Sequence, residues 1–129
     1  MNKIFLGGTC NNSTWRSEIE KLVQTPTFNP VVDDWNEKCQ EIEMDEKENK
    51  CNIHLFVITS EMTGVFSIAE VMDSVHNKNK LTLLHVMPDG FNKVKLKSLE
   101  AVVNLVKLRG GKAYLNKDLN KTVEILNCI

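Results

Sequence analysis

The sequence predicts an α/β fold in which helices cover both faces of a parallel sheet. Short apolar runs alternate along the chain with segments whose apolar residues recur at helical spacing. Two of the runs, 53–58 and 81–86, are apolar almost throughout, which is typical of strands buried on both faces. Strands that alternate with helices require right-handed crossovers, and such crossovers produce a parallel sheet.

The amino-terminal part of the chain predicts two strands and the helix between them. Residues 4–6 form the first strand, which runs into a glycine-rich loop. Apolar residues at helical spacing predict a helix from residue 15 to about 24. Residues 28–32 predict the second strand, and Pro30 indicates either an edge position or a strand start, because proline cannot donate to a neighbouring strand.

Residues 37–50 are strongly charged, and their only apolar members are Cys39, Ile42 and Met44. We interpret this segment as a solvated helix lying across the outside of the domain. A partly mobile loop is the alternative, since the helical periodicity is weak.

The rest of the chain continues the alternation, with strands at 53–58, 81–86 and 113–115 and helices at about 65–77, 93–109 and 118–126. Gly110–Gly111 is typical of a helix C-cap. Five strands connected in this way predict a flavodoxin-like three-layer sandwich with strand order 2-1-3-4-5. A length of 129 residues predicts one domain, spanning 1–129.

Composition excludes several classes of partner. Sixteen Lys and Arg residues face 17 acidic ones, so a net charge of -1 gives no field that would attract nucleic acid polymers or a membrane surface. The apolar run near the amino terminus is too short for a signal peptide or a membrane helix, and we expect a cytoplasmic protein. The four cysteines lack CxxC spacing and predict reduced thiols.

No metal and no cofactor is predicted. The three histidines, His54, His76 and His85, include no pair at i, i+4 spacing. His54 and His85 lie on predicted strands, where satisfied core histidines are the usual finding.

In this fold, ligands bind beyond the carboxyl ends of the strands, where the order reverses between the first and third strands. The loops 7–13, 33–35 and 59–66 follow the first three strands, and we expect them to meet there.

Three parts of the chain together resemble the nucleoside 2-deoxyribosyltransferase-like family. They are KIFLGGT (3–9) with STWR (13–16), FNPVVDDW (28–35), and HLFVIT (54–59) continuing through MTGVFSIAE (62–70). They cover roughly the first two thirds of the chain. The branch that the chain resembles includes many bacteriophage and bacterial proteins of this length.

The resemblance implies cleavage or exchange at the N-glycosidic bond of a nucleoside or nucleotide, with Glu70 as the nucleophile. A carboxylate beneath the sugar C1′ stabilises an oxocarbenium-like transition state, and a place in the first turn of a helix favours its ionised form. The family's usual second and third carboxylates are replaced here by Gly64 and Asn52. Asp33 and Asp34 are therefore the candidate proton donors.

Each catalytic candidate has a structural alternative. Ser67 and Glu70 have the spacing of a capping box, in which both side chains would bind the free N–H groups of their own helix. Asp33 and Asp34 are also typical of a turn that caps the next helix.

The candidate ligand-binding residues are Gly7, Gly8, Thr9, Trp15, Asp33, Trp35, Thr63, Gly64, Phe66 and Ser67. The glycines and Thr9 could cradle a phosphate or simply form a tight turn. The three aromatic residues could stack on a base, but core or lid packing is the simpler interpretation. Arg16 could pair with a phosphate or a partner acid, although a solvated helix charge is the more common role.

Two functions follow from these residues, and a structural or partner-binding subunit with a vestigial pocket is a third interpretation. The first is an enzyme that cleaves or exchanges the base through Glu70. The alternative is a non-catalytic protein that senses or sequesters a nucleotide or an ADP-ribose-like signal, which Gly64 and Asn52 favour. The resemblance also implies a homo-oligomer, a dimer or larger, in which a neighbour's residues 127–129 complete the pocket.

Overall fold

A computed structural model describes residues 1–129 and contains one five-stranded sheet. All strand pairs are parallel, in the order β2-β1-β3-β4-β5. The strands are β1 (Ile4–Gly8), β2 (Thr27–Phe28), β3 (Ile53–Ile58), β4 (Leu81–Val86) and β5 (Lys112–Leu115). The helices are α1 (Trp15–Leu22), α2 (Glu37–Asp45), α3 (Phe66–His76), α4 (Lys93–Leu108) and α5 (Asn120–Asn127). The flavodoxin-like prediction and its strand order are confirmed.

Two hydrophobic cores lie on opposite faces of the sheet, because successive strand residues point to opposite sides. One core joins the sheet to α1 and α5 and consists of Ile4, Leu6, Trp15, Ile19, Ile53, Leu55, Val57, Leu83, Leu119 and Leu126. The other joins the sheet to α3 and α4 and consists of Phe56, Ile58, Val71, Val75, Leu84, Val86, Leu99, Val103, Val106 and Ala113. All six residues of β3 are buried, as predicted for the central strand.

The strand β1 extends beyond the predicted end at Leu6 and includes both glycines. Gly8 has φ +112°, and a Cβ atom there would lie 2.1 Å from the backbone oxygen of Val57. Only glycine fits this position, since β1 and β3 approach too closely for any side chain.

The strand β2 is shorter than predicted. It ends at Phe28, and the prediction of strand over 28–32 is wrong beyond that residue. Pro30 has no N–H to donate, and the N–H of Val31 binds the side-chain oxygen of Asn29 at 3.0 Å rather than a neighbouring strand. The edge position that Pro30 indicates is confirmed.

The charged segment divides into two parts. The helix α2 has no buried residue, which confirms the solvated helix and excludes the loop alternative. A π-helical turn follows it over Glu46–Lys50, and there the prediction of solvation is wrong, because Glu46 and Lys47 are both buried.

None of the five α-helices is both long enough and apolar enough to cross a membrane. All four cysteines are free thiols.

Candidate functional site

Polar contacts attach the π-helical turn to the sheet. His54 Nε2 binds the carbonyl oxygen of Lys47 at 2.8 Å. Lys3 Nζ lies 2.7 Å from Glu46 Oε2, and Lys80 Nζ binds the carbonyl oxygens of Glu48 and Cys51 at 2.7 Å each. Because buried backbone and charged groups need such partners, these bonds determine where the turn lies.

The attached turn holds Lys47 against the glutamate predicted as nucleophile. Lys47 Nζ lies 2.9 Å from Glu70 Oε2, and the two side chains are only 11% and 13% exposed. Lys47 Nζ also lies 6.0 Å from the centre of the Phe5 ring. Glu70 Oε1 has no hydrogen-bond partner, so one carboxylate oxygen is paired and the other is free.

The capping-box alternative for Glu70 is wrong. The helix α3 begins at Phe66 after the N-cap Val65, and no side chain bonds to its free N–H groups. Ser67 and Glu70 therefore both lie inside the helix. Glu70 is its fifth residue, which also places it just beyond the first turn expected from the sequence.

A second carboxylate, that of Glu43, interacts electrostatically with Glu70. Glu43 on α2 is half-buried, whereas its neighbours Ile42 and Met44 are exposed. Burial raises the pKa of Glu43, the negative charge of Glu70 raises it further, and the charges of Lys47 and Arg16 lower it. Two carboxylates and two cations from four elements thus interact electrostatically. Arg16 lies on α1, Glu43 on α2, Lys47 on the π-helical turn and Glu70 on α3.

The interpretation of Arg16 as a solvated helix charge is wrong. It is buried, and it donates to the carbonyl oxygens of Leu6 (3.0 Å), Thr9 (2.7 Å) and Gly8 (3.3 Å). Burial lowers the pKa of its guanidinium. Arg16 thus shapes the loop after β1, although its charge still acts on Glu43 and Glu70.

Trp15 lies in the core beside Arg16. Its Nε1 donates to the carbonyl oxygen of Thr9 at 3.0 Å, and the Arg16 guanidinium lies 4.3 Å from the centre of its ring. Only 2% of Trp15 is exposed. The ring therefore offers no face for stacking on a base in this structure.

The glycine-rich loop makes its close approach to β3. A Cβ atom on Gly7 would lie 2.6 Å from the Phe56 ring. The N–H of Thr9 binds the carbonyl oxygen of Val57 at 2.9 Å, and its hydroxyl accepts from the N–H of Thr59 at 3.0 Å. These contacts continue the pairing of β1 with β3 and already use the N–H of Thr9.

Two of the three predicted loops meet. Asn11 Nδ2 donates to Thr63 Oγ1 at 2.8 Å, which joins the loop after β1 to the loop after β3. A cavity of about 230 Å³ lies beside them, lined by Asn12, Ser13, Thr14, Trp15, Glu18, Thr59, Ser60, Glu61, Met87, Asp89 and Lys117. Asp33, Asp34 and Trp35, in the loop after β2, are exposed and bind neither loop.

Glu70 is absent from the lining of five surface cavities with volumes of about 230 to 650 Å³. Lys47 covers the carboxylate, because its ammonium is bonded there.

A family model described as "Nucleoside 2-deoxyribosyltransferase like" matches residues 1–88. The chain belongs to this family. No curated protein sequence matches the chain. Membership in the nucleoside 2-deoxyribosyltransferase-like family supports a nucleoside-related function and implies small-molecule nucleoside substrates. The matched residues include Arg16, Glu43, Lys47 and Glu70.

Gly64 and Asn52, which stand where the family usually has carboxylates, lie in different parts of the structure. Gly64 is exposed, and no atom lies within 4 Å of where its Cβ would be. Asn52 precedes β3 at the amino edge of the sheet, where it accepts from the N–H of Lys3 at 2.9 Å and donates to Asn2 Oδ1 at 2.8 Å. Asn52 therefore ties β1 to β3 at the edge opposite the carboxyl-end loops.

The remaining predicted ligand residues lie around the start of α3. Phe66 is 74% exposed, and Ser67 is half-buried. Thr63 and Gly64 border an apolar groove of about 500 Å³ between α3 and α4. No group of three or more His, Cys, Asp or Glu side chains is arranged to hold a metal ion.

Glu43 and Lys47 were missed from the sequence. Their run contains few apolar residues, which usually indicates a solvated helix. The available signal was their i, i+4 spacing, which places both side chains on one side of a helix.

Proposed function

We propose that this protein cleaves or exchanges the N-glycosidic bond of a nucleoside or nucleotide, with Glu70 as the nucleophile. The observation that carries the proposal is the direction of the Glu70 side chain. It leaves α3 toward Lys47 instead of binding its own helix, and Oε1 is unpartnered. A carboxylate oxygen that is free of bonds, on a side chain that is only 13% exposed, is suited to attack an electrophilic carbon.

The reaction would proceed in two steps. Glu70 Oε1 forms a bond to the sugar C1′ while the bond from C1′ to the base nitrogen breaks, and the electron pair leaves with the base. A second base or a water molecule then attacks C1′, and the bond to Glu70 breaks. The sugar is transferred in the first case and hydrolysed in the second.

Lys47 must yield space to the substrate. Its ammonium ends a flexible four-carbon stem, so it can move from Glu70 Oε2 without unfolding the π-helical turn. A substrate that carries a phosphate would offer this ammonium a second anion. For the proton donor, the sequence predicts Asp33 or Asp34, and both lie exposed in the loop after β2.

The test is incubation of the protein with a panel of nucleosides, nucleotides and NAD-derived compounds. Released base is measured by chromatography, and the denatured protein is weighed by mass spectrometry. We expect base release, a sugar adduct on Glu70, and a loss of roughly 10³-fold or more in Glu70→Gln. The matched control is Glu100→Gln, an exposed position on α4, which should retain full activity.

A second candidate is a non-catalytic protein that binds a nucleotide or an ADP-ribose-like signal. The ion pair between Lys47 and Glu70 favours it, because the nucleophile is covered. Tight ligand retention that survives Glu70→Gln, without released base from the unaltered protein, would select this candidate over the enzyme.

We also propose that residues 1–129 form one domain and that copies of this domain assemble into a homo-oligomer. In the single chain, Asn127 binds the end of α1 through the N–H of Gln24 (3.1 Å) and the carbonyl oxygen of Leu22 (3.0 Å). Cys128 and Ile129 are exposed and available to a neighbour. Light scattering in solution measures the assembly directly.

A further inference from the structure

The face of α2 and the π-helical turn that is directed at α3 contains a carboxylate without an assigned role. Glu43 lies four residues before Lys47, so the two side chains lie on one side of their helix. Lys47 is bonded to Glu70. Glu43 therefore lies on the same side of this segment as Lys47, and the charges of both Lys47 and Glu70 act on it although neither is bonded to it.

Glu43 is half-buried without a bonded partner. It makes no hydrogen bond and no ion pair within 4.0 Å, in contrast to Glu46, which pairs with Lys3. A carboxyl group in this environment retains a proton more readily than one in water. The charges that act on it are those of Glu70 from α3, Lys47 from the π-helical turn and Arg16 from α1.

We propose that Glu43 is the proton donor to the departing base, an inference that rests on the proposed function. As the bond from C1′ to the base breaks, the Glu43 carboxyl transfers its proton to a nitrogen of the base, which accepts the electron pair. The resulting Glu43 carboxylate then takes a proton from the attacking water or second base. One carboxylate as nucleophile and a second carboxyl group as acid is the division of roles in retaining glycoside hydrolysis.

The position of Glu43 fits this role better than those of Asp33 and Asp34. Both aspartates are exposed. Cys39 Sγ lies 3.8 Å from the backbone oxygen of Asp34, and the carboxylates of Asp33 and Asp34 make no hydrogen bond. Neither forms an ion pair with the groups around Glu70.

The test compares two substrates with each variant. One is a nucleoside whose base the unaltered protein releases. The other is the same nucleoside with a base that departs without protonation, in its N7-methylated form for a purine or its 5-nitro form for a pyrimidine. Glu43→Gln keeps the shape of the side chain and breaks no bond, and circular dichroism verifies its fold.

We expect Glu43→Gln to lose about 10²–10⁴-fold in kcat/KM with the ordinary base and less than roughly tenfold with the activated base. Glu70→Gln should lose activity with both substrates, and Glu41→Gln, an exposed position on α2, with neither. A loss in Asp34→Asn that is confined to the ordinary base would instead assign the proton to Asp34. The unaltered protein should lose activity as pH rises and Glu43 gives up its proton, and Glu43→Gln should lack that limb.

Two failures are distinguishable. If the unaltered protein releases base but Glu43→Gln is fully active, or is equally impaired with both substrates, the role of Glu43 is wrong and Glu70 keeps its own. If the unaltered protein releases no base from either substrate, the proposed function fails and this inference fails with it.

Discussion

The two faces of the sheet each contain a buried histidine bound in the same way, and the comparison separates scaffold from site. His54 on β3 uses Nδ1 with Ser74 Oγ on α3 (2.8 Å) and Nε2 with the carbonyl oxygen of Lys47 (2.8 Å). His85 on β4 uses Nδ1 with Thr122 Oγ1 on α5 (2.7 Å) and Nε2 with the carbonyl oxygen of Asn116 (2.9 Å). Both rings tie a strand to a helix and to a connecting segment.

The two histidines differ in the residue whose carbonyl oxygen the ring binds. Asn116 follows β5 and is exposed, so the His85 contact only closes the loop that leads to α5. The carbonyl of Lys47 belongs to the residue whose ammonium holds Glu70. The same pair of histidine hydrogen bonds is therefore structural on one face of the sheet. On the other face it positions Lys47, the partner of the candidate nucleophile Glu70.

The largest expected effect comes from removing each ring. His54→Ala and His85→Ala should each lower the free energy of unfolding by about 2–4 kcal/mol, because a cavity forms and buried polar groups lose their partners. Chemical denaturation measures this loss. In assays where both variants are folded, only His54→Ala should also reduce base release.

Equal activity losses in the two histidine variants would remove the distinction between the faces. The site would then depend on the rigidity of the whole sheet rather than on the attachment of the π-helical turn.

A smaller effect is expected from the ion pair itself. Lys47→Met should lower the free energy of unfolding by about 1–3 kcal/mol, between the values for exposed and fully buried pairs, because Glu70 is left without a partner. Adding Glu70→Gln to Lys47→Met should recover part of that loss. A double-mutant cycle measures the coupling, and a value near zero would mean that the pair does not hold the turn.

The smallest effect is the dependence of stability on pH. Burial is the main cause that lowers the pKa of both His54 and His85 below the ordinary value. The unfolded chain therefore binds more protons than the folded one as pH falls below about 6.5, and stability decreases in that direction. The double variant His54→Ala/His85→Ala should show a shallower decrease between pH 7 and pH 5. An unchanged slope would show that other groups cause it.

The arrangement of elements followed from local pattern. The apolar run of β3 predicted a central strand, and glycine and proline positions predicted where elements stop, because backbone conformation depends on the residue itself. The interpretation of His54 and His85 as core histidines is confirmed for the same reason, since a polar ring within an apolar strand must find partners inside. Pro30 indicated the edge position of β2, although β2 ended earlier than its apolar residues indicated.

The candidate site followed the sequence only in part. Glu70 was predicted as a site residue from its resemblance to a family residue, since its spacing alone fits a capping box equally well. For the charged segment 37–50, the sequence predicted solvation throughout, since a run of Glu and Lys residues is usually solvated, whereas Glu46 and Lys47 are buried.

By itself, the sequence determined the alternation of strands and helices, the parallel sheet and its order, because these depend on apolar periodicity and on the handedness of crossovers. Only the tertiary structure decided which charges are buried. Lys47 becomes a partner of Glu70 because His54, Lys3 and Lys80 attach its turn to the sheet from distant points of the chain. A charge leaves water only where opposite charges and hydrogen bonds converge on it, and no local pattern contains that convergence.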